Sequence, residues 1–205
     1  MKKLLFTIAL LTVTALTFAQ TINFGIKAGL NLSKQSADNA NNYGASSFAG
    51  FNAGGIVDIG FKSFSIQPGV FFSTKGEKNT PEGENIAYKT TLNYIEVPVN
   101  LLYKSTIAAK TNIHFGGGPY IAYGLSENVT ANGQPYSTNN TFNFKNPDYG
   151  VNFIAGLTLN HLIIDAGYGL GVANLLSQTI IHESGSSDVT IKNRVISLSV
   201  GYLFR

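Results

Sequence analysis

The chain has 205 residues, a formal charge of +3 and no cysteine, which excludes a disulfide framework and a thiolate metal site. So small a charge also lacks the clustered basic surface that nucleic-acid binding needs. Only 12% of residues are charged, against ~25% in soluble domains, while 22 glycines, 14 phenylalanines and 10 tyrosines crowd the sequence, a composition that suits strands with an apolar solvent on one side.

Residues 1–19 read as a secretory signal. Lys2 and Lys3 form the basic start, an apolar run follows, and Thr17 and Ala19 place small residues ahead of Gln20. The run is short for a membrane helix, which needs ~20 residues. Cleavage after Ala19 leaves one domain over 20–205 with a charge of 3 − 2 = +1.

From Thr21 the pattern has a period of two. Ile22, Phe24, Ile26, Ala28, Leu30 and Leu32 share one face, and Asn23, Gly25, Lys27, Gly29 and Asn31 share the other. A helix would scatter these apolar residues around its axis, so this is a strand. A polar loop over 33–47 follows. The second strand (48–60) sets Phe51, Ala53, Val57 and Ile59 against Asn52, Gly54 and Asp58, and a tight turn at 60–63 leads to the third (64–73), with Phe64, Ile66, Pro68, Val70 and Phe72 on its greasy face. A second polar loop spans 75–89.

The fourth strand (94–103) points Ile95, Val97, Val99, Leu101 and Tyr103 one way and Tyr94, Glu96, Pro98 and Asn100 the other. A short turn at 104–110 precedes the fifth (112–123), where Phe115, Pro119, Ile121 and Tyr123 oppose His114, Gly116, Gly118 and Tyr120. A third polar loop covers 126–147. The sixth and seventh strands (149–159 and 162–170) are joined at Asn160-His161 and carry Tyr149, Phe153, Ile164 and Tyr168 outward, with Asp165 among the small inward residues. A fourth loop, 174–192, leads to the last strand, in which Ile196, Leu198, Val200, Tyr202 and Phe204 line one face.

Eight strands of about the ~9–11 residues that cross a bilayer, joined by alternating long and short connections, predict an all-β fold. It is an eight-stranded antiparallel up-and-down transmembrane β-barrel with short periplasmic turns and long extracellular loops. An apolar terminal strand left as an edge invites aggregation, whereas in a closed barrel it pairs with the first. Phe64, Tyr103, Tyr202 and Phe204 are expected in a periplasmic-rim girdle, and Phe51, Phe72, Tyr123 and Tyr149 in an extracellular one. Pro68, Pro98 and Pro119 fall inside strands that have no free edge, so bulges are their expected accommodation.

Several segments carry a family resemblance: Phe24-Gly25-Ile26-Lys27-Ala28-Gly29-Leu30-Asn31, Tyr94-Ile95-Glu96-Val97-Pro98-Val99, Gly117-Gly118-Pro119-Tyr120, Asp148-Tyr149-Gly150 and Gly201-Tyr202-Leu203-Phe204. On these the chain resembles the PorT-like outer-membrane β-barrel family of Gram-negative bacteria. The resemblance implies an outer-membrane address, outer-membrane lipid around the wall and the barrel-assembly machinery as a partner in biogenesis. Some relatives serve secretion and gliding. The terminal Arg205 departs from the usual aromatic end.

The inward charges are few. An eight-stranded barrel is just wide enough for side chains to fill, and a buried charge needs a partner. Lys27 is therefore expected to pair with Glu96, Asp165 or both in a structural ion cluster that plugs the lumen. His182-Glu183-Ser184 lacks the orienting acid and glycine elbow of a hydrolase, and the three histidines lack ligand spacing. No cofactor, metal or catalytic residue is expected. The expected function is a non-enzymatic barrel, structural or binding an envelope partner through its loops, within an envelope or secretion assembly. The alternative is a lipid-modifying barrel enzyme.

Overall fold

The computed structural model describes residues 20–38, 45–80, 85–136, 147–173, 180–182, 185–187 and 190–204. The expected signal at 1–19, Glu183, Ser184 and Arg205 lie outside the described residues.

Alternation of small or polar with apolar residues produces strands almost throughout. They are β1 (Gln20–Asp38), β2 (Ala45–Phe61), β3 (Phe64–Asn79), β4 (Tyr88–Ala108), β5 (Thr111–Ala131), β6 (Gln134–Pro135), β7 (Asp148–Leu159), β8 (Leu162–Gly171), β9 (Ile180–His182), β10 (Gly185–Ser187) and β11 (Thr190–Phe204). Eight of them form the wall in the order β4-β3-β2-β1-β11-β8-β7-β5, and β5 pairs back onto β4 to close it. β6 adds to β5, and β9 with β10 makes a separate hairpin. The last strand does pair with the first, from Phe24↔Phe204 to Asp38↔Thr190.

Following paired residues around the wall, His114 leads through Gly156, Asp165, Ser199, Gly29, Asn52, Ser73 and Tyr94 to Gly124 on the same strand. One circuit therefore climbs 124 − 114 = 10 residues along β5. Such a stagger goes with strands tilted by ~35–45° and a narrow bore. The outer face is apolar and uncovered: Leu30 is 68% exposed, Leu198 60% and Tyr123 62%. That is an arrangement for lipid, since water would leave it as one very large exposed patch.

The structure corrects the sequence reading in two places. Several connections are shorter than expected, because hydrogen bonding carries the strands past the point where their apolar pattern fades. β3 runs on to Asn79 and β4 begins at Tyr88, inside the expected 75–89 loop, while β5 continues to Ala131 inside the expected 126–147 loop. The 104–110 turn contracts to Ala109-Lys110. The tight turns at 62–63, 109–110 and 160–161 each hold one residue in the left-handed region, Lys62 (φ 50°), Lys110 (φ 63°) and Asn160 (φ 55°).

The prolines are not absorbed by bulges. The ladder skips two pairs beside each one and resumes in the same register: between Ile56↔Gly69 and Ile59↔Ile66 for Pro68, between Pro68↔Val99 and Phe71↔Glu96 for Pro98, and between Pro98↔Tyr120 and Leu101↔Gly117 for Pro119. Each proline lacks one N–H, so it interrupts one side of its strand and stays paired on the other. The irregular registers lie elsewhere, between Ser47 and Asn52, Asn93 and Tyr94, and Thr106 and Ala108.

Candidate functional site: the barrel lumen

Inward rows of the wall carry the charged side chains, and the circuit of the strands stacks them in three groups. Nearest the short turns, Lys104 Nζ of β4 lies 2.5 Å from Asp58 Oδ2 of β2. Gln67 of β3 donates to the other carboxylate oxygen at 3.5 Å.

In the middle group Asp165 of β8 is held from two sides. Lys27 of β1 forms an ion pair with its Oδ2. His114 Nε2 of β5 lies 2.6 Å from its Oδ1, and Thr158 Oγ1 of β7 lies 3.4 Å from His114 Nδ1. Glycines on the intervening strands open these paths. A Cβ on Gly201 of β11 would lie 2.5 Å from Lys27 Cγ, and one on Gly156 of β7 would lie 2.7 Å from His114 Nε2 and closer still to the Asp165 carboxylate.

The third group, nearest the long connections, centres on Lys75 of β3. Its Nζ is 2.7 Å from Glu96 Oε2 of β4 and 3.5 Å from Asp148 Oδ2 of β7. It also sits over two rings, 5.3 Å from the centroid of Tyr94 and 4.6 Å from that of Tyr120. Asn193 of β11 donates to Asp148 Oδ2 at 2.9 Å. Tyr94 and Tyr120 pack with Leu92 and Ala122 as an apolar cluster beside this lysine.

Between the middle and upper groups lies a cavity of about 90 Å³, lined by Lys27, Asn31, Asn52, Lys75, Glu96 and Asn100 among others. With these polar side chains set among apolar ones such as Ile56, Phe71 and Val195, it has room for several waters, each needing ~10–15 Å³ by this measure.

The structure thus brings Lys27 and Asp165 together and places Glu96 apart from them, on Lys75. Sequence reasoning missed Lys75, Lys104 and Asp148, having assigned the first two to a loop and a turn and left Asp148 just outside the strand that begins at Tyr149. The signal was available: each continues an inward row by one pleat, Lys75 two residues after Ser73, Lys104 two after Leu102 and Asp148 two before Gly150. Extending each strand by one pleat finds all three.

The girdle aromatics lie on the outer wall. Phe64 packs edge-on against Tyr103 with centroids 5.4 Å apart, Tyr103 contacts Phe115, and Tyr202 contacts Phe204 at 5.5 Å. At the other end Phe51 and Phe72 are 5.7 Å apart, while Tyr123 and Tyr149 are exposed.

A closed antiparallel wall with an apolar exterior and an ion-paired interior defines an outer-membrane-type β-barrel. Residues 18–177 match the family described as outer membrane protein beta-barrel domain, and the chain belongs to that family. It is a bacterial outer-membrane protein. Among solved structures it is similar to Neisserial surface protein A, at 14% identity over 88% of this chain and 97% of that one, with a TM-score of 0.48. It is also similar to Ail, the attachment invasion locus protein of Yersinia pestis, at 16% identity over 89% and 98% of the two chains, with a TM-score of 0.44. No curated protein matches the sequence.

Proposed function

We propose that this chain is a non-enzymatic, PorT-like barrel whose lumen is closed by its ion pairs and whose outer end binds a protein partner in an envelope or secretion assembly. The observation that carries the reading is the extension of β3, β4 and β5 beyond the lipid-facing belt as one hydrogen-bonded sheet. The pairing continues to Asn79↔Tyr88 and Tyr88↔Ala131. Its tip is ordered by side chains: Asn132 Oδ1 accepts from the Ala87 N–H at 2.9 Å, and Tyr88 packs edge-on against Tyr136 at 5.5 Å. A preorganised sheet loses less entropy on binding than a loose loop does. Its exposed face offers Tyr136, Leu125, Ser126 and Asn128.

The middle group argues against the lipid-modifying alternative. His114, Asp165 and Thr158 are arranged like a base, its orienting acid and a hydroxyl. They face the lumen, are buried there, and Asp165 is also engaged by Lys27. A lipid ester outside the wall does not reach them. The test is photo-crosslinking in native membranes from probes at Asn128 and Tyr136, with a probe at Lys62 as the control. A discrete adduct from the first two alone supports the reading. Adducts to lipid only, or lipid turnover by the purified barrel, defeat it.

A further inference from the structure

The β1–β11 seam holds two cations in an arrangement the barrel itself does not explain. Along this seam the outward pairs are Ala28↔Val200, Leu30↔Leu198 and Leu32↔Ile196, and the next outward pair is Lys34↔Arg194. Both Lys34 and Arg194 are exposed. Like charges directly opposite on neighbouring strands destabilise a sheet. Glu77 of β3 lies within electrostatic reach of Lys34 and offsets part of that charge. Among the described residues Arg194 has no acidic partner.

Position gives the pair its meaning. Leu32 and Ile196, each more than half exposed, mark the upper end of the apolar belt on this seam. Lys34 and Arg194 stand two residues further along, ~6–7 Å at the usual rise of a strand. They are at the end with the longer connections, where an outer-membrane barrel meets the outer leaflet. Apolar chains below and two cations above match the two parts of an anionic lipid. Guanidinium and ammonium groups side by side suit a phosphate, the first through paired donors and the second as a point charge.

We propose that Lys34 and Arg194 form a binding site for the phosphate of a phosphorylated glycolipid in the outer leaflet, whose acyl chains lie along Leu30, Leu32, Ile196 and Leu198. The bound phosphate neutralises the opposed cations and fixes the seam where the first and last strands close the barrel.

The experiment uses the folded barrel in detergent and native mass spectrometry. The probes are bisphosphorylated lipid A, its dephosphorylated form, and inorganic phosphate as competitor. The wild type should retain bisphosphorylated lipid A over the dephosphorylated form, and retention should fall as salt rises. The double variant Lys34→Gln/Arg194→Gln should lose on the order of tenfold or more, as two cations at a charged membrane surface warrant. Lys62→Gln/Lys110→Gln at the opposite rim should change nothing. Equal retention of the two lipids, retention insensitive to the seam variant, or displacement by inorganic phosphate at equal concentration would each overturn the proposal. Should the seam variant fail to fold, the salt and dephosphorylation arms on the wild type decide the matter.

Discussion

The pairing in the lumen makes a double-mutant cycle decisive. Removing one partner of a buried ion pair costs ~3–5 kcal/mol, chiefly because the other charge is left stranded. Lys27→Met leaves Asp165 still bonded to His114 at 2.6 Å, so its cost should fall near the lower end, ~3 kcal/mol. Asp165→Asn leaves Lys27 without its carboxylate and should approach ~5 kcal/mol. The double variant should be milder than Asp165→Asn alone, because two neutral side chains then share the site. Glu96→Gln provides the contrast. Glu96 sits on Lys75, so its effect should add to that of Lys27→Met within ~0.5 kcal/mol. The chain has no tryptophan, so urea unfolding in lipid or detergent is best followed by circular dichroism and by heat-modifiable gel mobility. Coupling above ~1 kcal/mol between Lys27 and Glu96, with none between Lys27 and Asp165, would refute the two-group reading.

Four further outcomes are expected. Val99→Arg, on the lipid-facing row near mid-depth, should cost roughly 2–4 kcal/mol in the same unfolding assay, while Val99→Leu should be tolerated. An epitope placed in 137–146 should be labelled on intact cells and one at Lys62 should not, because short turns face the periplasm. N-terminal sequencing of membrane-extracted protein should begin at Gln20, as the small residues Thr17 and Ala19 require. Lys110→Asn should raise the urea midpoint modestly, since Lys110 holds a left-handed φ of 63° that asparagine adopts more readily.

The wall was legible in the sequence because lipid imposes a rule that acts residue by residue. Every second side chain from Ile22 to Leu32 and from Ile196 to Phe204 has to be apolar, so a period of two shows both the strands and their outward faces. The closure of the last strand on the first follows from the same rule, since an apolar edge needs a partner. The lumen obeys no such local rule. Lys27 meets Asp165 across 138 positions of sequence, and Lys75 joins Glu96 and Asp148 from three different strands. Which carboxylate faces which lysine depends on the 10-residue climb of the circuit around the wall. That stagger belongs to the closed barrel as a whole and to no segment of it, so alternation placed Lys27, Glu96 and Asp165 inside and only the tertiary structure chose their partners. Strand ends are hidden for a related reason. Beyond the belt the strict alternation of apolar residues lapses, and what keeps β3, β4 and β5 extended there is the neighbouring strand's hydrogen bonds.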